Sequence, residues 1–260
     1  MSLYRKDIFQ GGWFSFHSDK NNWPDISEKL RKAFFNSFMF DEIFGPSETT
    51  DELFIKTDLK FDFVKDKSVL VIGGGPSSKN LNSEILDSYD LIFSCNHFFK
   101  NPLLQKHKVH IALVGDEVDL NDPDFLNYVN EYNPILGFDH SARRPIVNVL
   151  NFKESYPLCF IWLTRYFSRL GYTPRACVLA KLFGASKIDF IGLDGFKNNI
   201  HSFEGKKDPP SFNDDKQFKD QMQIFCEYML RDLCVDPEGF NDLATDHLYE
   251  DILNSVKSKL

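Results

Sequence analysis

The chain has 260 residues and a net charge of -8; 42% of its residues are hydrophobic and 26% are charged. These values are typical of a globular protein, and the length is sufficient for one large α/β domain with a smaller accessory segment. The acidic balance argues against a nucleic-acid binder, whose interaction face is basic. Any anion-binding site must therefore be built locally, from backbone N–H groups and a few side chains.

The first residues of the chain, Met1–Asp7, lack the apolar run of a signal peptide. No stretch reaches the about 18 apolar residues that a transmembrane helix requires. The five cysteines form no C-x-x-C pair, which favours reduced thiols over a disulfide framework or a zinc site. We therefore expect a cytoplasmic protein with no transmembrane segment. The sequence leaves the oligomeric state open.

Residues 1–66 are predicted to form an N-terminal extension or cap that is helical and rich in aromatic residues. Phenylalanine occurs 27 times in the chain, with many copies before residue 64. Pro24 and Asp25 mark the start of a predicted amphipathic helix in this segment. We interpret most of these rings as core-filling residues. Residues 67–260 are predicted to form the nucleotide-binding catalytic domain.

The second segment alternates short apolar runs with helical patterns, which predicts a doubly wound, Rossmann-like α/β fold with a mostly parallel sheet. Two further apolar runs are ambiguous between strand and helix, because short runs carry no diagnostic period. The predicted strands lie at about 69–72, 91–94, 109–114 and 188–192, and the ambiguous runs at 146–150 and 158–163.

A glycine-rich loop, Gly73–Ser78, follows the first of these strands directly. Glycines let a ligand oxygen approach the main chain, and N–H groups at the start of a following helix would point at an anion. The loop lacks the Gly-Lys-Ser/Thr ending of a P-loop. A dinucleotide is disfavoured, because Ser78 replaces the third glycine and the next strand ends in Cys95-Asn96 without an acidic residue. The loop therefore predicts a phosphate site for another nucleotide.

A second unit lies later in the chain. Thr173 and Pro174 are predicted to cap a helix that ends at Gly184, and the strand that follows leads into Asp194. In open parallel sheets, ligands bind beyond the carboxyl ends of the strands. The glycine loop, Asn96 and Asp194 all follow strand ends, so the topology predicts that they share one edge of the sheet.

These motifs, in this order, resemble those of bacterial sialyltransferases of glycosyltransferase family 42. They also resemble the related group of motility-accessory factors and archaeal pterin pyrophosphokinase-like proteins. The matching segments are Val69–Phe98 and Tyr172–Phe196. The resemblance implies a glycosyltransferase-A-like fold and transfer of a nonulosonic sugar, such as sialic acid, from a CMP-sugar donor to a hydroxyl acceptor. No cofactor is required for such a donor.

The resemblance also implies roles for individual residues. Asp194 matches the acidic residue of the Gly-Ile-Asp turn, and His201 is the candidate general base, since imidazole can accept a proton near neutral pH. The implied nucleotide contacts are Gly73, Gly74, Gly75, Pro76, Ser77, Asn96, Thr173 and Arg175.

Structural and functional alternatives stay open at this point. In the structural alternative, the glycine loop is a tight βα turn that binds no ligand, and Asn96 caps a turn through its side-chain amide. If the donor carries a diphosphate, Asp116 becomes the best candidate for a Mg²⁺ ligand. A second alternative is phosphoryl or pyrophosphoryl transfer, which would also need Mg²⁺ at the acidic cluster around Asp116. A non-catalytic nucleotide-binding protein is the third possibility.

Overall fold

The computed structural model describes residues 14–17, 59–115, 117–139, 146–164, 172–193, 226, 240–244 and 248–259. Several predicted features lie outside the described residues. They are the helix that begins at Pro24 and the residues Asp116, Asp194 and His201.

Within the described residues, eight strands form one sheet in the order β1-β6-β5-β4-β3-β2-β7-β8. All neighbours pair in parallel except β1, which runs antiparallel to β6. The predicted mostly parallel, doubly wound sheet is therefore confirmed. The strands are β1 Phe14–His17, β2 Ser68–Ile72, β3 Leu91–Cys95, β4 Ile111–Val114, β5 Ile135–Asp139, β6 Cys159–Thr164, β7 Lys187–Ile191 and β8 Phe240–Asp242.

The described helices flank this sheet on both faces. They are α1 Ser83–Asp87, α2 Pro123–Tyr132, α3 Ile146–Ser155, α4 Tyr172–Leu182 and α5 Leu248–Lys257, and short 3₁₀ turns lie at Asp62–Val64, Pro76–Asn80, Phe98–Lys100 and Leu104–Lys106. Each of the four predicted strands is present. Of the two ambiguous runs, the first is the helix α3 and the second is the strand β6.

The order of the strands defines a topological switch point. From β2 the chain adds β3, β4, β5 and β6 on one side, and then β7 and β8 on the other. The switch point therefore lies between β2 and β7, where the connections diverge at the carboxyl ends of the strands. We call the carboxyl ends of β2, β3, β4 and β7, taken together, the carboxyl edge. Open α/β sheets bind their ligands beyond the carboxyl ends of the strands, next to the switch point.

Two apolar cores position the carboxyl edge. Alternate residues of each buried strand face opposite sides of the sheet, because side chains alternate along a strand. One core packs Val71, Phe93 and Phe190 under α4 and α5. The other packs Leu70 and Ile92 under α1, α2 and α3.

Phenylalanine rings fill both cores, as the sequence predicts. Phe98 and Phe99 meet edge to face with ring centroids 5.7 Å apart, and Phe99 meets Phe125 at 5.3 Å. On the other side of the sheet, Phe61 stacks on Phe183 at 4.1 Å. Such contacts stabilise a core beyond the area that the rings bury.

The strand β1 belongs to the segment 1–66, where the sequence analysis predicts no strand. Phe14 pairs with Thr164 and His17 pairs with Ile161. Part of the predicted extension is thus an edge strand of the sheet. The boundary at residue 66 and the helical character of the extension stay predictions.

Two findings concern the predictions about cysteines and membrane-spanning helices. Cys95, Cys159, Cys177 and Cys226 are free thiols. Among the helices of the described residues, none has both the length and the apolar character needed to span a bilayer.

Candidate functional site

The ends of β2 and β7 touch through two glycines. A Cβ at Gly73 would clash with the carbonyl oxygen of Gly192 and would lie 2.5 Å from Thr173 Oγ1. Gly192 itself has a φ of +78°, and a Cβ there would clash with the main chain of Gly73. Glycine is required at both positions because two strand ends and the start of α4 approach each other closely. This requirement holds whether or not a ligand binds.

The main chain of the glycine loop is hydrogen-bonded to the turn after β7. The N–H of Gly73 donates to Ile191 O at 2.8 Å, and the N–H of Gly75 donates to Gly192 O at 2.9 Å. In return, the N–H of Gly192 donates to Ser77 Oγ at 3.0 Å. The N–H groups of Gly73 and Gly75 are therefore turned into the protein. A phosphate at this loop must be bound by other groups.

The predicted helix start beside the loop is wrong. A 3₁₀ turn, Pro76–Asn80, follows the glycines, and α1 begins only at Ser83. The reason is local: the Asn82 side chain accepts a hydrogen bond from the N–H of Ile85 at 2.9 Å and so caps the helix there. The N-terminus of α1 therefore lies several residues beyond the glycines and not directly after them.

Asn96 joins the ends of β3 and β4. Its φ is +48°, in the left-handed region, and its N–H donates to Leu113 O at 2.8 Å. Its Oδ1 accepts from the N–H of Gly115 at 2.9 Å, and its Nδ2 donates to Glu117 Oε1. The side-chain amide therefore holds the turn after β4, as the structural alternative predicts. A contact between Asn96 and a nucleotide stays a prediction.

Cys95 and Thr173 meet between β3 and α4, with Sγ and Oγ1 3.6 Å apart. Burial raises the pKa of the Cys95 thiol to about 11, and the Glu117 carboxylate adds to this rise. The hydrogen bond from Thr173 and the charge of Arg175 act in the opposite direction. The thiol is thus protonated near neutral pH, which excludes a role as a thiolate nucleophile.

Arg175 places a positive charge at the carboxyl edge. The residue is only 2% exposed, and its guanidinium carbon lies 4.4 Å from the centre of the Tyr172 ring. Tyr172 in turn covers Gly115, where a Cβ would lie 2.6 Å from the tyrosine hydroxyl oxygen. Both residues belong to the first turn of α4, whose N-terminus is the positive end of the helix dipole. This part of the edge is electrostatically suited to an anion.

The first turn of α4 differs slightly from the prediction. The helix begins at Tyr172, so Thr173 lies inside the first turn and is not its N-cap. Gly184 ends the unit as predicted, with a φ of +91°. Its left-handed conformation is the usual way for a glycine to end a helix.

The structure brings most of the predicted site residues to the carboxyl edge. Gly73, Thr173, Cys95 and Asn96 form a continuous line of contacts across the ends of β2 and β3. The structure also places Gly115 and Glu117 here, in the turn after β4. Sequence reasoning assigned no role to two residues that complete this edge, Tyr172 and Gly192, although each lies next to a strand end or to the predicted helix start.

The described residues hold no group of three or more His, Cys, Asp or Glu side chains arranged for a metal ion. The predicted Mg²⁺ ligand, Asp116, lies outside that part of the chain. Both the expectation that no metal is required and the alternative of Mg²⁺ at Asp116 therefore stay predictions.

The parallel sheet, with its helices and its switch point between β2 and β7, defines the chain as a Rossmann-like α/β protein. Among solved structures, it is similar to the sialyltransferase CstII from Campylobacter jejuni in complex with the substrate analogue CMP-3FNeuAc, with a TM-score of 0.50. The two chains are 15% identical, and the match covers 72% of this chain and 85% of that chain. A scan against protein-family models and a search of curated protein sequences found no match.

Proposed function

We propose that this chain is a glycosyltransferase that moves a nonulosonic sugar, such as sialic acid, from a CMP-sugar donor to a hydroxyl acceptor. The observation that carries the proposal is the likeness of the fold, over 72% of this chain, to a sialyltransferase in complex with the substrate analogue CMP-3FNeuAc. The motifs that resemble family 42 fall at the switch point of this sheet, where such folds bind their ligands.

The donor would lie across the ends of β2, β3 and β7. Because the N–H groups of Gly73 and Gly75 are bonded within the chain, we assign the phosphate to the positive first turn of α4. Arg175 and the N-terminus of that helix supply the charge, and the Thr173 hydroxyl lies beside them. Gly74, Pro76, Ser77 and Asn96 remain proposed contacts of the nucleotide.

In the proposed reaction, the acceptor oxygen forms a bond to the anomeric carbon while the bond from that carbon to the phosphate oxygen breaks. The bonding electrons leave with CMP, so negative charge grows on the phosphate in the transition state. Positive groups that are already in place stabilise this charge without reorganisation. The acceptor proton passes to a general base, for which His201 is the sequence-based candidate, with Asp194 nearby in the chain. A donor with one phosphate needs no metal ion.

Thermal-shift measurements against CMP, CTP, ATP and UDP, each with and without Mg²⁺, test the proposal. We expect CMP to stabilise the protein without metal, by about 2.7 kcal/mol at a concentration 100 times the Kd. CMP release from CMP-sialic acid should then be detectable, and His201→Ala should abolish it while CMP binding persists.

Other outcomes would replace the proposal. Stabilisation by ATP that requires Mg²⁺ would indicate phosphoryl or pyrophosphoryl transfer. CMP binding without release of CMP from any CMP-sugar would indicate a binding protein.

A further inference from the structure

A carboxylate from the turn after β4 lies at the end of β3, although the sequence of β3 itself does not end in an acidic residue. In doubly wound folds that bind dinucleotides, an acidic residue at the end of the second parallel strand binds the ribose hydroxyls. The corresponding strand here, β3, ends in Cys95-Asn96. The structure supplies the carboxylate from the neighbouring strand end, because Glu117 in the turn after β4 accepts a hydrogen bond from Asn96 Nδ2.

Asn96 is built as a support for that carboxylate. A non-glycine residue with a positive φ is uncommon, although asparagine tolerates this conformation better than most residues. Here the N–H of Asn96 is bonded to Leu113 and its Oδ1 to Gly115. The first bond fixes the main chain of Asn96 and the second orients its side-chain amide, whose Nδ2 donates to Glu117. The carboxylate is held at the end of β3 by defined geometry.

Glu117 is also accessible and lies near the proposed nucleotide. Its side chain is exposed, so a ligand can reach it. It accepts a hydrogen bond from Asn96, which directly follows Cys95 in the chain. Cys95 contacts Thr173, and Thr173 lies against Gly73 of the glycine loop. These contacts link Glu117 to the switch point.

We propose that Glu117 binds the ribose of the nucleotide, accepting hydrogen bonds from its 2′- and 3′-hydroxyl groups, and that Asn96 is its positioning residue. The inference rests on the proposed function for the identity of the nucleotide. In this role the carboxylate selects ribonucleotides over 2′-deoxyribonucleotides, because a 2′-deoxyribose lacks one of the two hydroxyl donors.

Calorimetric titration of the full chain with CMP and with 2′-deoxy-CMP tests this inference. We expect wild type to bind CMP roughly tenfold more tightly, because a hydroxyl that donates to a charged carboxylate contributes more than a neutral hydrogen bond. Glu117→Gln keeps the shape of the side chain and should reduce the ratio to about threefold or less.

Two further variants complete the test: one removes the supporting amide of Asn96, and the other is a control for the loss of a surface charge. Asn96→Gly tolerates the positive φ but removes the supporting amide, and should lower the ratio in the same way as Glu117→Gln. Glu131→Gln removes a charge from an exposed residue of α2 and should leave the ratio at the wild-type value.

The outcomes separate this inference from the proposed function. If wild type binds CMP and both Glu117→Gln and Asn96→Gly keep the full preference over 2′-deoxy-CMP, the ribose assignment is wrong and the proposed function stands. The same titrations with UMP, AMP and GMP and their 2′-deoxy forms test whether the chain binds another nucleotide. If the protein binds one of these in place of CMP, and prefers its ribose form only when Glu117 is present, the ribose assignment is supported and the CMP donor is overturned. Absence of binding to all four ribonucleotides would overturn both.

Discussion

His110, just before β4, makes the stability of this fold depend on pH in a way that can be calculated. Its Nδ1 accepts a hydrogen bond from the N–H of Ile92 at 3.1 Å, so the ring is neutral in the folded protein. Burial lowers its pKa from 6.5 to about 4, and the positive charge of Lys108 adds to the effect. Protonation of Nδ1 would break the bond to the start of β3.

The sign and size of the effect follow from proton linkage. The unfolded chain protonates this histidine below about pH 6.5 and the folded protein only below about pH 4, so the unfolded state gains stability as pH falls through that window. The two pKa values differ by 6.5 - 4 = 2.5, and each unit corresponds to about 1.4 kcal/mol. The upper limit is therefore about 3.5 kcal/mol, and solvent screening of the half-buried ring reduces it to about 2 kcal/mol.

Urea unfolding of wild type and of His110→Asn at about pH 7.5, 6 and 4.5 measures how much His110 contributes to the pH dependence of the free energy of unfolding. Asparagine offers an oxygen acceptor near the position of Nδ1 and does not titrate. Other groups that titrate in this range contribute equally to both proteins and cancel in the difference. We expect wild type to lose about 2 kcal/mol more than the variant between the highest and the lowest pH. Parallel losses in the two proteins would refute the reasoning.

Two other substitutions test contacts that position the carboxyl edge and its sheet. Gly73→Ala should destabilise the fold by about 2 kcal/mol or more, since the added Cβ would clash with Gly192 O; wild-type stability in chemical denaturation would contradict the close approach. Tyr89→Phe removes a hydroxyl that donates to the buried Asp189 carboxylate, whose other partner is Lys187 at 2.9 Å. We expect a loss of about 1–3 kcal/mol, and an unchanged urea midpoint would argue against this hydrogen bond.

Much of the sheet could be predicted because its signals are local. The run at 69–72 is apolar and rich in β-branched residues and is followed by glycine; the run at 188–192 is apolar apart from Asp189 and also ends at glycine. Each could therefore be assigned without knowledge of its neighbours. The run at 158–163 could not, because it is a strand only through its pairing with β5 and β1. β1 was missed for the same reason: its pairing partner lies about 150 residues away in the chain.

In the candidate site, too, local sequence patterns predict some features and long-range contacts decide the others. From the sequence it could be predicted that the glycine loop, Asn96, Thr173 and Arg175 lie at strand ends or at the start of a helix, because that depends on local patterns and on the general topology of α/β sheets.

The contacts that these residues make with one another and with their neighbours were decided only by the tertiary structure. Gly73 needs to lack a side chain because Gly192 lies against it, and Asn96 holds Glu117 because β3 and β4 are neighbours in the sheet. Such contacts join residues that are distant in sequence, and a hydrogen bond or a steric clash depends on distances of a few ångströms that no local pattern encodes. The sequence determined which groups reach the carboxyl edge, and packing determined which of them face each other.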